Sequence, residues 1–112
     1  MATTAVERLR EGRPCEAREI IRQIGALNLL GVSGGRWAVI RDSHDDEIGV
    51  RMPCGTNREI EVILSFWDTY IVRRYRTIVK GERRGQDIME FEAQDVYCTE
   101  VGETVWQASI WR

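Results

Sequence analysis

The sequence predicts an α+β fold: a five-stranded antiparallel meander with N- and C-terminal helices packed on one face, a two-layer sandwich. Three observations lead there. Apolar residues at helical spacing occupy only the two ends of the chain. Five short segments of strand character lie between them. The breaks separating those segments are too short for parallel crossovers, which need about a dozen residues or more. A chain of 112 residues, 43% hydrophobic and 30% charged, suits one globular unit. It should bury roughly 65% of its unfolded surface with no metal or disulfide staple.

Residues 1–13 read as flexible or weakly helical, and 14–112 as a single α+β domain. Pro14 opens the first full helix, with Glu16 and Glu19 near the positive end of its dipole. Ala17, Ile20, Ile21, Ile24 and Leu27 give that helix a buried stripe, and Gly31, Gly34 and Gly35 end it. Strands follow at 36–41, 47–52, 58–66, 69–80 and 86–92. A turn about Cys54-Gly55-Thr56 sets Val50 opposite Ile60 and Ile48 opposite Val62. A turn about Trp67-Asp68 sets Leu64 opposite Ile71 and Ile60 opposite Tyr75. Folding about Arg83 sets Tyr75 opposite Phe91, Arg76 opposite Glu90 and Arg74 opposite Glu92, so that like apolar groups and opposite charges meet.

This register gathers Ile48, Val50, Met52, Ile60, Val62, Leu64, Ile71, Tyr75, Met89 and Phe91 on the core face. A slip of one residue would turn a strand over. It also leaves Arg73 on the inner face opposite Val62, which a bulge near Arg73-Arg74 or a place at the sheet's end would resolve. The last helix spans about 95–110, capped by Asp95, with Val96, Tyr97, Val101, Val105 and Trp106 as its stripe. Gly102 within it costs about 1 kcal/mol relative to Ala.

Chemistry-bearing patterns are sparse. The single histidine, His44, stands in the acidic stretch Ser43-His44-Asp45-Asp46-Glu47, which reads as a solvated turn rather than a metal site. Ser33-Gly34-Gly35-Arg36 lacks the Gly-Lys-Ser/Thr ending of a phosphate loop. Cys15, Cys54 and Cys98 are odd in number and widely spaced, so they read as reduced, packed thiols. The expectation is a protein that is not an enzyme and takes no metal and no cofactor. No apolar run approaches the roughly 18 residues of a membrane span, and the charges of Val6–Glu11 do not suit a secretory signal. A cytoplasmic protein is expected.

Two surfaces are candidates for function. Ile63, Val72, Ile78 and Ile88 fall on the outer face of the predicted sheet, rimmed by Arg74 and Arg76, and read as a contact surface for a protein partner or for a homodimer. Arg74, Arg76, Arg83 and Arg84 form a basic hairpin that would bind nucleic acid as an accessory protein. The acidic run from Asp87 to Glu103 neutralises that hairpin across the strand pair, and the net charge is −2, so nucleic acid ranks second.

Three stretches carry a family likeness: Ser33-Gly34-Gly35-Arg36, Asp68-Thr69-Tyr70-Ile71-Val72, and Asp95-Val96-Tyr97-Cys98 ahead of Glu100-Val101-Gly102-Glu103. With them the chain resembles small uncharacterised proteins of actinobacterial phages and mobile elements over about residues 15–110. The resemblance implies a shared fold and no catalytic residues. It further implies an accessory protein that binds a host protein in the host cytoplasm, with a regulatory or anti-defence role.

Overall fold

The computed structural model describes residues 5–112. Five strands, β1 (Ala38–Arg41), β2 (Glu47–Gly55), β3 (Arg58–Leu64), β4 (Tyr70–Thr77) and β5 (Asp87–Val96), pair in chain order as one antiparallel sheet. Four helices accompany them: α1 (Ala5–Glu11), α2 (Ala17–Ile24), α3 (Ala26–Ser33) and α4 (Val101–Ser109). The α+β class and the antiparallel meander stand as expected.

The registers differ from expectation, each for a local reason. In β2–β3, Val50 pairs with Val62 and Met52 with Ile60, two residues from the expected pairing. The tip moves to Thr56-Asn57, where Asn57 takes the left-handed backbone (φ 59°) that Asn tolerates. A shift of two keeps side chains on their faces, except at Ile48, which the irregularity opposite Ile40 and Arg41 turns toward Ile63. In β3–β4 the shift is one: Leu64 pairs with Tyr70, and Ile60 with Arg74. A two-residue loop at Trp67-Asp68 would favour φ > 0 at Trp67. The chain instead makes a three-residue loop, Phe66-Trp67-Asp68, with only Asp68 left-handed (φ 65°). That single residue turns β4 over. Tyr70 and Val72 join Ile60 and Val62 in the core, while Ile71, Arg73 and Tyr75 move to the other face. Arg73 therefore stands opposite Glu61 and not Val62.

In β4–β5, Tyr75 pairs with Met89 and Arg74 with Phe91, with a register shift between Arg74 and Tyr75. Tyr75 and Phe91, expected as neighbours, lie on opposite faces. The extra residue at the shift is Glu90, whose carboxylate still reaches Arg76 at 3.3 Å although Arg76 pairs with Ile88 in the ladder.

The main core joins Val50, Met52, Ile60, Val62, Tyr70 and Val72 to Ala17, Ile20, Ile24, Leu29, Val101, Val105 and Ala108. These helical residues come from α2, α3 and α4. The expected single long N-terminal helix breaks at Gly25 (φ 91°), so Leu27 points out, 85% exposed, and Leu29 turns in. β5 runs on to Val96 with Asp95 inside it (φ 55°), and α4 starts at Val101 rather than at an Asp95 cap.

The expected single-face arrangement does not extend to α1. Gly12 sits against Ile48 and Ile63, and Arg8 lies over Tyr75, so α1 covers part of the second face. The chain then crosses the sheet's end, where the Arg13 N–H donates to Leu64 O (2.9 Å) and the Cys15 N–H to Glu47 O (2.8 Å).

Gly102 has a packing role that propensity hides. A Cβ there would meet Ile24 O at 2.6 Å and Asn28 Nδ2 at 2.7 Å, where α4 abuts the end of α2. Gly102→Ala gains about 1 kcal/mol of helix propensity but forces the helices apart. The net expectation is a loss of about 1–3 kcal/mol in urea unfolding. An unchanged or raised midpoint would show that the two helices yield freely.

Candidate functional site

The outer-face patch expected from sequence does not form. Ile63 and Val72 are both buried and lie on opposite faces, Ile63 beneath Gly12 and Val72 in the main core, because β4 is turned over. Ile78 and Ile88 are half-buried near the β4–β5 loop.

Arg74 is not a surface cation either. Its guanidinium donates to Ala108 O (3.1 Å), Ser109 O (3.4 Å) and Trp111 O (2.8 Å), carbonyls at and beyond the end of α4. Carbonyls at a helix C-terminus carry the negative end of its dipole, so a cation fits them, although Ala108 O also accepts from the Trp111 N–H (3.3 Å). Arg58, Arg74 and Arg76 also converge on Glu90 at 3.0, 3.1 and 3.3 Å. Three guanidiniums around one carboxylate leave that end of the sheet positive. Arg83 and Arg84 are exposed in the adjoining loop.

A different apolar surface lies on the helical layer. Leu27 and Leu30 share one side of α3 and are 85% and 61% exposed; Trp106 and Ile110 follow the same side of α4 and its end. The two pairs are continuous because Trp106 lies across α3 at Gly31, where a Cβ would meet its ring at 2.8 Å. Trp111, also exposed, packs edge-on against Phe91 with centroids 5.3 Å apart. Helical spacing alone predicts both Leu27 and Trp106 in buried stripes; the turn at Gly25 sends Leu27 outward.

No family model, curated protein or solved structure matches this chain. Function must be read from its surfaces.

The second face carries charges that sequence reading did not assemble. Arg8 pairs with Glu61 (3.3 Å) and Asp87 (3.2 Å) and lies 4.5 Å from the Tyr75 ring centre. Arg73 pairs with Glu11 (2.5 Å) and Glu92 (2.6 Å). These contacts fasten α1 to β3, β4 and β5. The available signal was the alternation of Glu59 and Glu61 with Ile60 and Val62, a strand with one apolar and one acidic side. Burial pushes the Glu61 carboxyl up to about 7 despite the opposing pull of Arg8, and it raises Glu59 as well.

Burial also lifts the Cys15 thiol to about 11, reinforced by Glu47, and raises Cys54, so both are protonated thiols at neutral pH and poor nucleophiles. His44 is exposed, and its backbone N–H donates to Asp42 Oδ1 (2.9 Å) in the β1–β2 turn. Among the described residues, no three His, Cys, Asp or Glu side chains group as a metal site. No described helix is long and apolar enough to cross a membrane.

Proposed function

We propose that this chain is a non-enzymatic accessory protein of the phage or mobile-element type it resembles, acting in the cytoplasm by binding a host protein through the outer side of α3 and α4. The observation that supports this reading is the continuous apolar surface of Leu27, Leu30, Trp106 and Ile110, with the exposed Trp111 next in the chain. Together they expose on the order of 500–600 Å² of apolar area, most of the roughly 800 Å² that one partner contributes to a standard interface. Large aromatic anchors flanked by aliphatic groups are what binding hot spots are made of.

Leu30→Glu should leave thermal stability within about 0.5 kcal/mol, because the side chain is exposed, while abolishing recovery of the partner from nuclease-treated host lysate. Arg84→Glu should recover the same protein as wild type. Recovery unaffected by Leu30→Glu would sink the reading. So would a wild-type dimer in sedimentation that Leu30→Glu dissociates, since the surface would then be filled by a second copy.

A nucleic-acid role has one observation in its favour. Arg58, Arg76 and Lys80 line a hollow of roughly 390 Å³ beside the loop bearing Arg83 and Arg84. Retardation of DNA or RNA that fades steeply with salt and is lost in Arg84→Glu would favour it over the protein partner.

A further inference from the structure

We propose that the hollow between α1 and the second face of the sheet binds a small ligand that carries a protonated primary amine on a short aliphatic body. Arg8, Leu9, Val39, Ile40, Glu59 and Glu61 line this hollow of roughly 300 Å³, with Arg41 and Arg51 also on its wall. The Glu61 side chain is only 6% exposed. One of its oxygens, Oε1, faces Arg8 Nε at 3.3 Å, whereas Oε2 is buried with no hydrogen-bond partner among the described residues. A buried acceptor without a donor is costly, and a buried carboxylate more so.

Arg51 stands against Glu59 as its leading counter-charge, whereas the cations that reach Glu61 from α1 and β4 have other commitments. Arg8 is shared with Asp87 and the Tyr75 ring, and Arg73 with Glu11 and Glu92. Glu59 shares the hollow from two residues along the same strand, so two carboxylates present to one small volume. An ammonium group brings three donors and one positive charge, enough to satisfy Glu61 Oε2 with donors left over for Glu59. A water molecule would bring donors without charge. Leu9 and Ile40 supply apolar wall for a short hydrocarbon body. Two sources share this chemistry: a simple aliphatic amine, and the amino end of an amino acid whose carboxylate would meet Arg41 or Arg51.

The test is isothermal titration of the full chain with n-butylammonium, L-leucine and butyrate. Saturable binding of n-butylammonium at millimolar concentration is expected, with no binding of butyrate. Glu61 faces Arg8 from α1, Arg51 from β2, Arg73 from β4, Asp87 from β5 and Glu59 on its own strand. Because only its ionised form holds an ammonium, affinity should fall about tenfold from pH 8 to pH 6. Glu61→Gln keeps the shape and should weaken binding at least about tenfold while remaining folded, as should Glu59→Gln to a smaller degree. Leucine binding tighter than n-butylammonium, with the advantage lost in Arg51→Met, would support the amino-acid source; the reverse order would support a simple amine. No saturation by either amine, butyrate binding as well as n-butylammonium, or undiminished binding to Glu61→Gln would overturn the proposal.

Discussion

Arg74→Met should destabilise the fold by about 3–5 kcal/mol, the usual cost of removing one member of a buried charged cluster. The guanidinium is 7% exposed as a residue and holds three carbonyls at the end of α4 while pairing with Glu90. Methionine fills much of the volume but donates nothing, so Ala108 O and Trp111 O lose a charged donor. Arg74→Lys should recover only part of the loss, because one ammonium cannot span the carbonyls and the carboxylate together. Urea unfolding gives the magnitude, and amide exchange should show the loss of protection concentrated in α4. A variant that melts like wild type but loses affinity for nucleic acid would return Arg74 to the surface role expected from sequence.

Glu61 should make the protein less stable as pH rises, against the usual behaviour of carboxylates. The folded carboxyl titrates at about 7 and an unperturbed one at 4.5. Below 4.5 the group is neutral in both states and contributes no penalty. Between those values the unfolded chain ionises while the folded chain holds its proton, so stability drains away with rising pH. Above 7 the full difference, about 3 kcal/mol, has been lost. Glu61→Gln removes the ionisation. It should match wild type near pH 4 and exceed it at pH 8 by up to about 3 kcal/mol. Paired urea titrations at the two pH values check this, and an unchanged difference between the proteins would mean that Glu61 is ionised and satisfied in the fold. The same variant, being at least as stable, also makes a clean probe of ligand binding in the hollow.

The second face illustrates how far residue order could be read. Glu59, Glu61 and Arg73 are visible as charges on predicted strands, yet only the true pairing brings Arg73 beside Glu61. Arg8 and Glu11 lie outside any strand and reach the cluster because the chain wraps the sheet's end, a contact that no local pattern encodes. The apolar surface was legible as residues and misplaced as a surface: Leu27 and Trp106 fit buried stripes by spacing, and a single positive φ at Gly25 sent Leu27 outward.

What the sequence determined by itself was the α+β class, five strands in an antiparallel meander, and the faces of β3 and of β2 from Val50 onward. Ile48, expected in the core, turns toward Ile63 at the irregularity opposite Ile40 and Arg41. Strand alternation and short breaks are local properties, and a two-residue error in register preserves them. Tertiary structure alone decided which face of β4 joins the main core, where α1 lies, and what Arg74 does. The physical reason is that strand faces repeat every two residues, while the choice between a two- and a three-residue loop rests on a small difference in turn energy at Trp67-Asp68. One residue in that loop exchanges Ile71 and Tyr75 for Tyr70 and Val72 in the core. It also carries Arg74 from the sheet's surface to the end of α4.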